Sequence, residues 1–142
     1  MNTRRLEIFD EVKNPYPQHK GIDNEEKILS PDEKAIFQFY VAEFDLYERV
    51  WFLKEEKEKL SEYEWICWII YLESMSHHWL FRYSFNQTRT IFDKGFMNYI
   101  KEKIIDRQDE GENSREKLEE DARVEYMKEY KKKLILPDKV VY

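Results

Sequence analysis

Apolar positions recur along this chain at helical spacing, and two serine-led turns mark where the recurrence begins. Ser30-Pro31-Asp32-Glu33 and Ser61-Glu62-Tyr63-Glu64 have the form of capping boxes. In each, the serine hydroxyl can accept from the backbone N–H three residues on, while the glutamate reaches back to the serine's own N–H. Pro31 takes the favoured first position, so a first helix is predicted over residues 30–57. Its apolar residues fall in two adjacent stripes, one of Phe37, Tyr40, Val41, Phe44, Tyr47 and Trp51, the other of Ile36, Phe39, Leu46, Val50 and Leu53. An arc this wide calls for more than one packing partner.

The charge run Lys54 to Lys59 reads as a solvated connection into a second helix over 61–83, with Trp65, Trp68, Ile69, Leu72, Met75 and Trp79 on one face. So short a connection makes the two helices antiparallel neighbours, with residues whose numbers sum to about 117 at the same level. The polar stretch from Asn86 to Thr90 reads as a loop, and a third helix is predicted over 93–107, carrying Phe96, Met97, Tyr99, Ile100, Ile104 and Ile105. Beyond a polar connection containing Gly111, a charged fourth helix is predicted over 114–136. Acids (Glu116, Glu119, Glu120, Asp121) crowd its start and bases (Lys128, Lys131, Lys132, Lys133) its end, which suits the helix dipole. Leu118, Ala122, Tyr126, Tyr130 and Leu134 give it a narrow seam for its own core or for a partner chain. Residues 1–29, with Asn14-Pro15-Tyr16-Pro17 and Gly21, read as an extended arm, and 137–142 as a short apolar tail. The fold class is all-α, an antiparallel bundle of three to four helices.

Composition supports that reading. Among 142 residues, aromatics make up 16% while glycines and prolines number only three and four, which favours long elements over the many tight turns of a sandwich or barrel. A net charge of −6 disfavours a broad grip on nucleic acid, whose phosphates dominate affinity. The single cysteine, Cys67, excludes an internal disulfide framework and fits a reducing compartment; inside an apolar helix it is expected to be a buried small hydrophobe. Trp65 to Leu72, eight residues long, is the longest strictly apolar run and too short to span a bilayer. The N-terminus lacks the apolar stretch of a signal peptide. The expectation is a cytoplasmic protein.

Three constellations could carry chemistry. Glu73 and His77 stand four apart on one helix face, and the antiparallel level brings Glu43 within about a turn of both, so two carboxylates and an imidazole could hold a divalent transition metal. An interhelical ion pair is the plainer reading of the same residues. Glu43 and Glu48 lie within apolar stripes and need partners, for which Arg82, Arg89, His77 and His78 are available. Arg82, Tyr83, Phe85, Arg89 and Lys94 interleave bases with aromatics, as in surfaces that stack single-stranded nucleic acid. No serine sits in a nucleophile elbow, and three scattered glycines make no phosphate-binding loop.

The run from Phe37 to Val50, followed by a connection and a helix opening on Trp65, resembles the small helical domains of unknown function of the DUF4760 type. In those an aromatic-plus-glutamate helix precedes a tryptophan-bearing one. The resemblance covers residues 36–105 and implies a helical module, with no catalytic residues to carry over.

These patterns point to a non-enzymatic helical protein that needs no cofactor and works through contacts with itself or with another protein, as a homodimer or an adaptor. Trp51 and Trp79 are the expected contact aromatics, with Arg82 and Arg89 at the rim. A metal or small-ligand site between the first two helices and a single-stranded nucleic-acid surface are the alternatives.

Overall fold

The structure, a computed structural model, describes residues 28–134. The arm up to residue 27, the tail 137–142 and the end of the fourth helix lie outside these residues. The described residues fold entirely as helices and turns.

Both capping boxes form as the spacing predicts. Ser30 Oγ accepts from the Glu33 N–H and Ser61 Oγ from that of Glu64, and each glutamate returns a bond to its serine. They open α1 (Pro31–Glu55) and α2 (Glu62–Ser74). The charge run between them is not simply solvated. Lys54 is half-buried, bridges Glu55 and Glu62, and lies 4.8 Å above the Trp51 ring. Glu58 completes the turn with a left-handed backbone (φ 51°). The two helices run antiparallel: Tyr40 meets Met75, Tyr47 meets Trp68 and Trp51 meets Trp65, within two residues of the expected level.

The predicted second helix is two. α2 stops at Ser74, and α3 (Trp79–Thr88) starts afresh with His78 as its cap, Nδ1 accepting from the Leu80 N–H. Two side chains explain the break. Ser76 Oγ donates back to the Glu73 carbonyl, a local bond that competes with the helix. The Tyr40 phenol donates to the Met75 carbonyl at 2.7 Å, occupying an acceptor that a continuing helix would use. α3 also takes in Asn86 to Thr88 of the stretch expected to be a loop, leaving Arg89 and Thr90 in a turn, because Phe85 and Thr88 are buried and the Thr88 hydroxyl donates to the Ser84 carbonyl.

α4 (Lys94–Ile100) widens into a π turn (Lys101–Ile105) and closes as α5 (Asp106–Asp109). Lys101 and Asp106, five apart, pair at 3.0 Å across that turn, a spacing that matches its i→i+5 bonding. Gly111 (φ 79°) ends α5 in the left-handed region that glycine enters without steric cost. α6 (Ser114–Leu134) follows, its entry capped by Asn113, whose Oδ1 accepts from the Glu116 N–H.

α2 lies between α1 and α6. Trp65 is completely buried, with Trp51, Tyr99 and Phe96 at 5.3, 5.4 and 6.3 Å between ring centres, and Phe44, Tyr40 and Phe81 make a second cluster joining α1 to α3. Most of these pairs meet edge to face or tilted, the geometry that ring quadrupoles favour. Gly95 admits the Trp51 ring close to α4, since a Cβ there would stand 3.2 Å from it. Leu118 and Ala122 bury the first half of the α6 seam.

Candidate functional site

Glu73 is the most deeply buried carboxylate among the described residues, 1% exposed at the end of α2. One of its oxygens, Oε1, accepts from the Ser114 hydroxyl at 2.9 Å and lies 2.9 Å from His77 Nε2. Gln108 Nε2 donates to Ser114 Oγ and to Ser76 Oγ, and Arg82 Nη2 donates to Gln108 Oε1. A hydrogen-bonded line therefore runs from α3 through α5 and α6 to α2. Arg82 is anchored further by Asp109.

This geometry bears on the expected chemistry. Glu73 and His77 come together as the i, i+4 spacing predicts, but among the described residues no three His, Cys, Asp or Glu side chains form a group that could hold a metal ion. Glu43 sits half-buried with its charge beside the Tyr47 phenol, which that charge and, more strongly, burial push above its ordinary range. The Ser114 hydroxyl and the His77 imidazole both address the same Glu73 oxygen. General-base activation of a serine requires the imidazole on the hydroxyl, so this trio braces helices instead. The partner of Glu48 is a backbone group, the Asp93 N–H at 2.6 Å, instead of a basic side chain.

The four expected contact residues are placed differently. Trp51 and Trp79 are partly buried and pack against the core. Arg82 is drawn into the brace just described. Only Arg89 remains exposed, beside a pocket with Phe85, Phe92, Lys94, Met97 and Lys101. Of the base-and-aromatic stretch, Tyr83 and Phe85 are buried, so they offer no stacking platform. Lys101 went unnoticed in the sequence, although Lys94, Asn98 and Lys101 recur at the spacing that places them along one helix face.

A different aromatic surface is exposed. Within the apolar run of α2, Trp65, Ile66, Ile69 and Leu72 are buried while Cys67, Trp68 and Tyr71 face outward, Tyr71 at 59% exposure. The expectation of a buried Cys67 fails because the run from Trp65 to Leu72 is apolar all round and only part of its circumference meets α1 and α6. The outward strip continues onto α6, while on the α1 side Trp68 packs on the buried Tyr47. Tyr47 of α1 contacts Trp68 at 5.8 Å, and Tyr63 of α2 contacts Tyr126 of α6 at 5.2 Å, with Tyr130 stacked on Tyr126. Tyr126, Met127 and Tyr130 are each about half exposed. A hydrogen bond with Cys67 holds the Tyr63 phenol above its usual range.

No helix among the described residues is long and apolar enough to cross a membrane. No family model matches the chain, and neither a curated protein nor a solved structure matches it.

Proposed function

We propose that this chain is a non-enzymatic protein-contact module whose working surface is the outer face of α2 and α6, and that the partner on that face is a second copy of the chain. One observation carries the reading: from Trp65 to Leu72 α2 is apolar around its whole circumference, yet Cys67, Trp68 and Tyr71 stand uncovered, with Glu64 at their edge. A helix apolar on every side belongs in a core or against another chain. The aromatics of α6 extend the strip, and large amphipathic side chains of this kind dominate contact energetics when desolvated.

Charge supports the second copy. Along α6 the first half, residues 114–124, has a net charge of −1, Glu116, Glu119, Glu120 and Asp121 outweighing Arg115, Lys117 and Arg123, while the second half, residues 125–134, has a net charge of +2, Lys128, Lys131, Lys132 and Lys133 outweighing Glu125 and Glu129. Two copies laid antiparallel about a two-fold axis near Glu125 and Tyr126 set the acidic half of each α6 against the basic half of the other. A parallel arrangement sets like against like. An isologous dimer of this kind is the commonest closed assembly of soluble chains. The single cysteine suits a reducing compartment such as the cytoplasm as the place of work.

A charge exchange tests the reading. A K131E/K132E chain and an E119K/E120K chain are each expected to dimerise at least about tenfold more weakly than the natural chain, and an equimolar mixture to form the mixed dimer preferentially. Native mass spectrometry separates the three species. Homodimers of undiminished strength in both variants, or no mixed preference, contradict the antiparallel arrangement.

A further inference from the structure

We propose that the pocket between the end of α3 and the face of α4 binds a small organic phosphate, its phosphoryl group met by Arg89, Lys94 and Lys101 and its apolar body laid against Phe92. The pocket shares no residue with the outer face of α2 and α6, so this inference stands apart from the contact reading.

The walls come from two directions. Phe85, Arg89 and Thr90 close the end of α3, while Lys94, Asn98 and Lys101 follow one another along α4 into the π turn, with Phe92 and Met97 between them. Three cations line the cavity and no carboxylate does. In a chain of net charge −6, that is a local reversal of sign. Lys101 is held in place by Asp106, while among the described residues neither Arg89 nor Lys94 is in an ion pair. The nearest acid along the chain, Asp93, turns its carboxylate to the Phe96 N–H as the cap of α4. The convergent positive charges repel one another, and an anion between them relieves that repulsion.

The chemistry of the lining narrows the anion. A phosphate monoester carries nearly two negative charges and three acceptor oxygens at neutral pH, which suits three cations, the Thr90 hydroxyl and the Asn98 amide better than a singly charged carboxylate does. Phe92, half-buried in the pocket wall, adds apolar contact that inorganic phosphate cannot use. The volume, about 540 Å³, lies in the range of small-molecule sites and exceeds what a bare phosphate fills.

Calorimetric titration of the full chain at low ionic strength, with phenyl phosphate as the probe, tests this. Saturable one-to-one binding is expected, at least about tenfold tighter than inorganic phosphate and weakened about tenfold or more by Arg89→Ala or Lys94→Ala. Both residues are exposed, so the variants should keep the native circular dichroism, and Lys59→Ala should leave binding unchanged. Absence of saturation at millimolar phenyl phosphate, or binding indifferent to both substitutions, overturns the proposal. Oligothymidylate that binds more tightly as it lengthens, with no phenyl phosphate binding, overturns it in favour of a groove that follows a nucleic-acid strand.

Discussion

The Ser114 hydroxyl donates to the buried Glu73 carboxylate across 2.9 Å, joining the first residue of α6 to the last turn of α2 over 41 positions of chain. It is the only fixed hydroxyl donor on that carboxylate among the described residues, and His77 approaches from the solvent side, 64% exposed. Ser114→Ala should therefore cost about 1–3 kcal/mol by leaving a buried acceptor short of a donor. His77→Ala should cost less, since water can replace an exposed imidazole. Urea denaturation of the two variants checks the order, and a reversed order would place the strength of the node in the ion pair.

Trp51 is a keystone of the core, meeting Trp65, Phe96 and Tyr99 from α1. Truncating a large aromatic in such a place costs about 3–5 kcal/mol. Trp51→Ala is expected to lower the thermal midpoint sharply, and any loss of association should track unfolding. A stably folded variant that no longer associates would make Trp51 a contact residue after all.

Glu58 holds a left-handed backbone at φ 51°, where a side chain is disfavoured by about 1–2 kcal/mol. Glycine relieves that strain and gives back part of the gain through the entropy of the unfolded chain. Glu58→Gly should raise stability by about 0.5–1 kcal/mol, measurable as a higher urea midpoint with an unchanged slope.

Burial lifts the phenols of Tyr40, Tyr47 and Tyr99 above their ordinary value of 10.0, while at Tyr47 Glu43 and Tyr71 add to the effect and at Tyr99 Glu62 and Asp121 do. In the unfolded chain these phenols release their protons near pH 10, while the folded chain keeps them. The unfolded state then binds fewer protons, so the stability present below pH 10 falls as pH rises beyond it. Lys54 acts in the same sense: burial lowers its pKa, but bonds to Glu55 and Glu62 outweigh that and raise it above 10.5, and the pairs weaken as it deprotonates. A spectrophotometric titration should show these phenols ionising only together with unfolding. Smooth titration of every tyrosine near pH 10 in the folded protein contradicts the burial.

Local signals were legible in the chain and distant ones were not. The capping boxes at Ser30 and Ser61 depend on residues three apart, and the level of α1 against α2 follows from one short connection, so both could be read directly. The break at Met75 depends on a hydroxyl supplied by Tyr40 from another helix, and the fate of Arg82 on Asp109, neither of which periodicity reveals. Ser114 stands where the fourth helix is predicted to start. The cap is Asn113, three before Glu116, which frees Ser114 to turn inward to Glu73. For Cys67, Trp68 and Tyr71, the run of apolar residues gave the helix but not which side its neighbours would leave open.

Sedimentation equilibrium of the natural chain beside a Y126S/Y130S variant tests the central claim most directly. Both tyrosines are about half exposed, so the variant should retain its helical circular dichroism and serve as a folded comparison. A concentration-dependent dimer for the natural chain and a monomer for the folded variant are the predicted results. A natural chain that remains monomeric, or a dimer that survives in the folded variant, contradicts the claim that a second copy covers the outer face of α2 and α6.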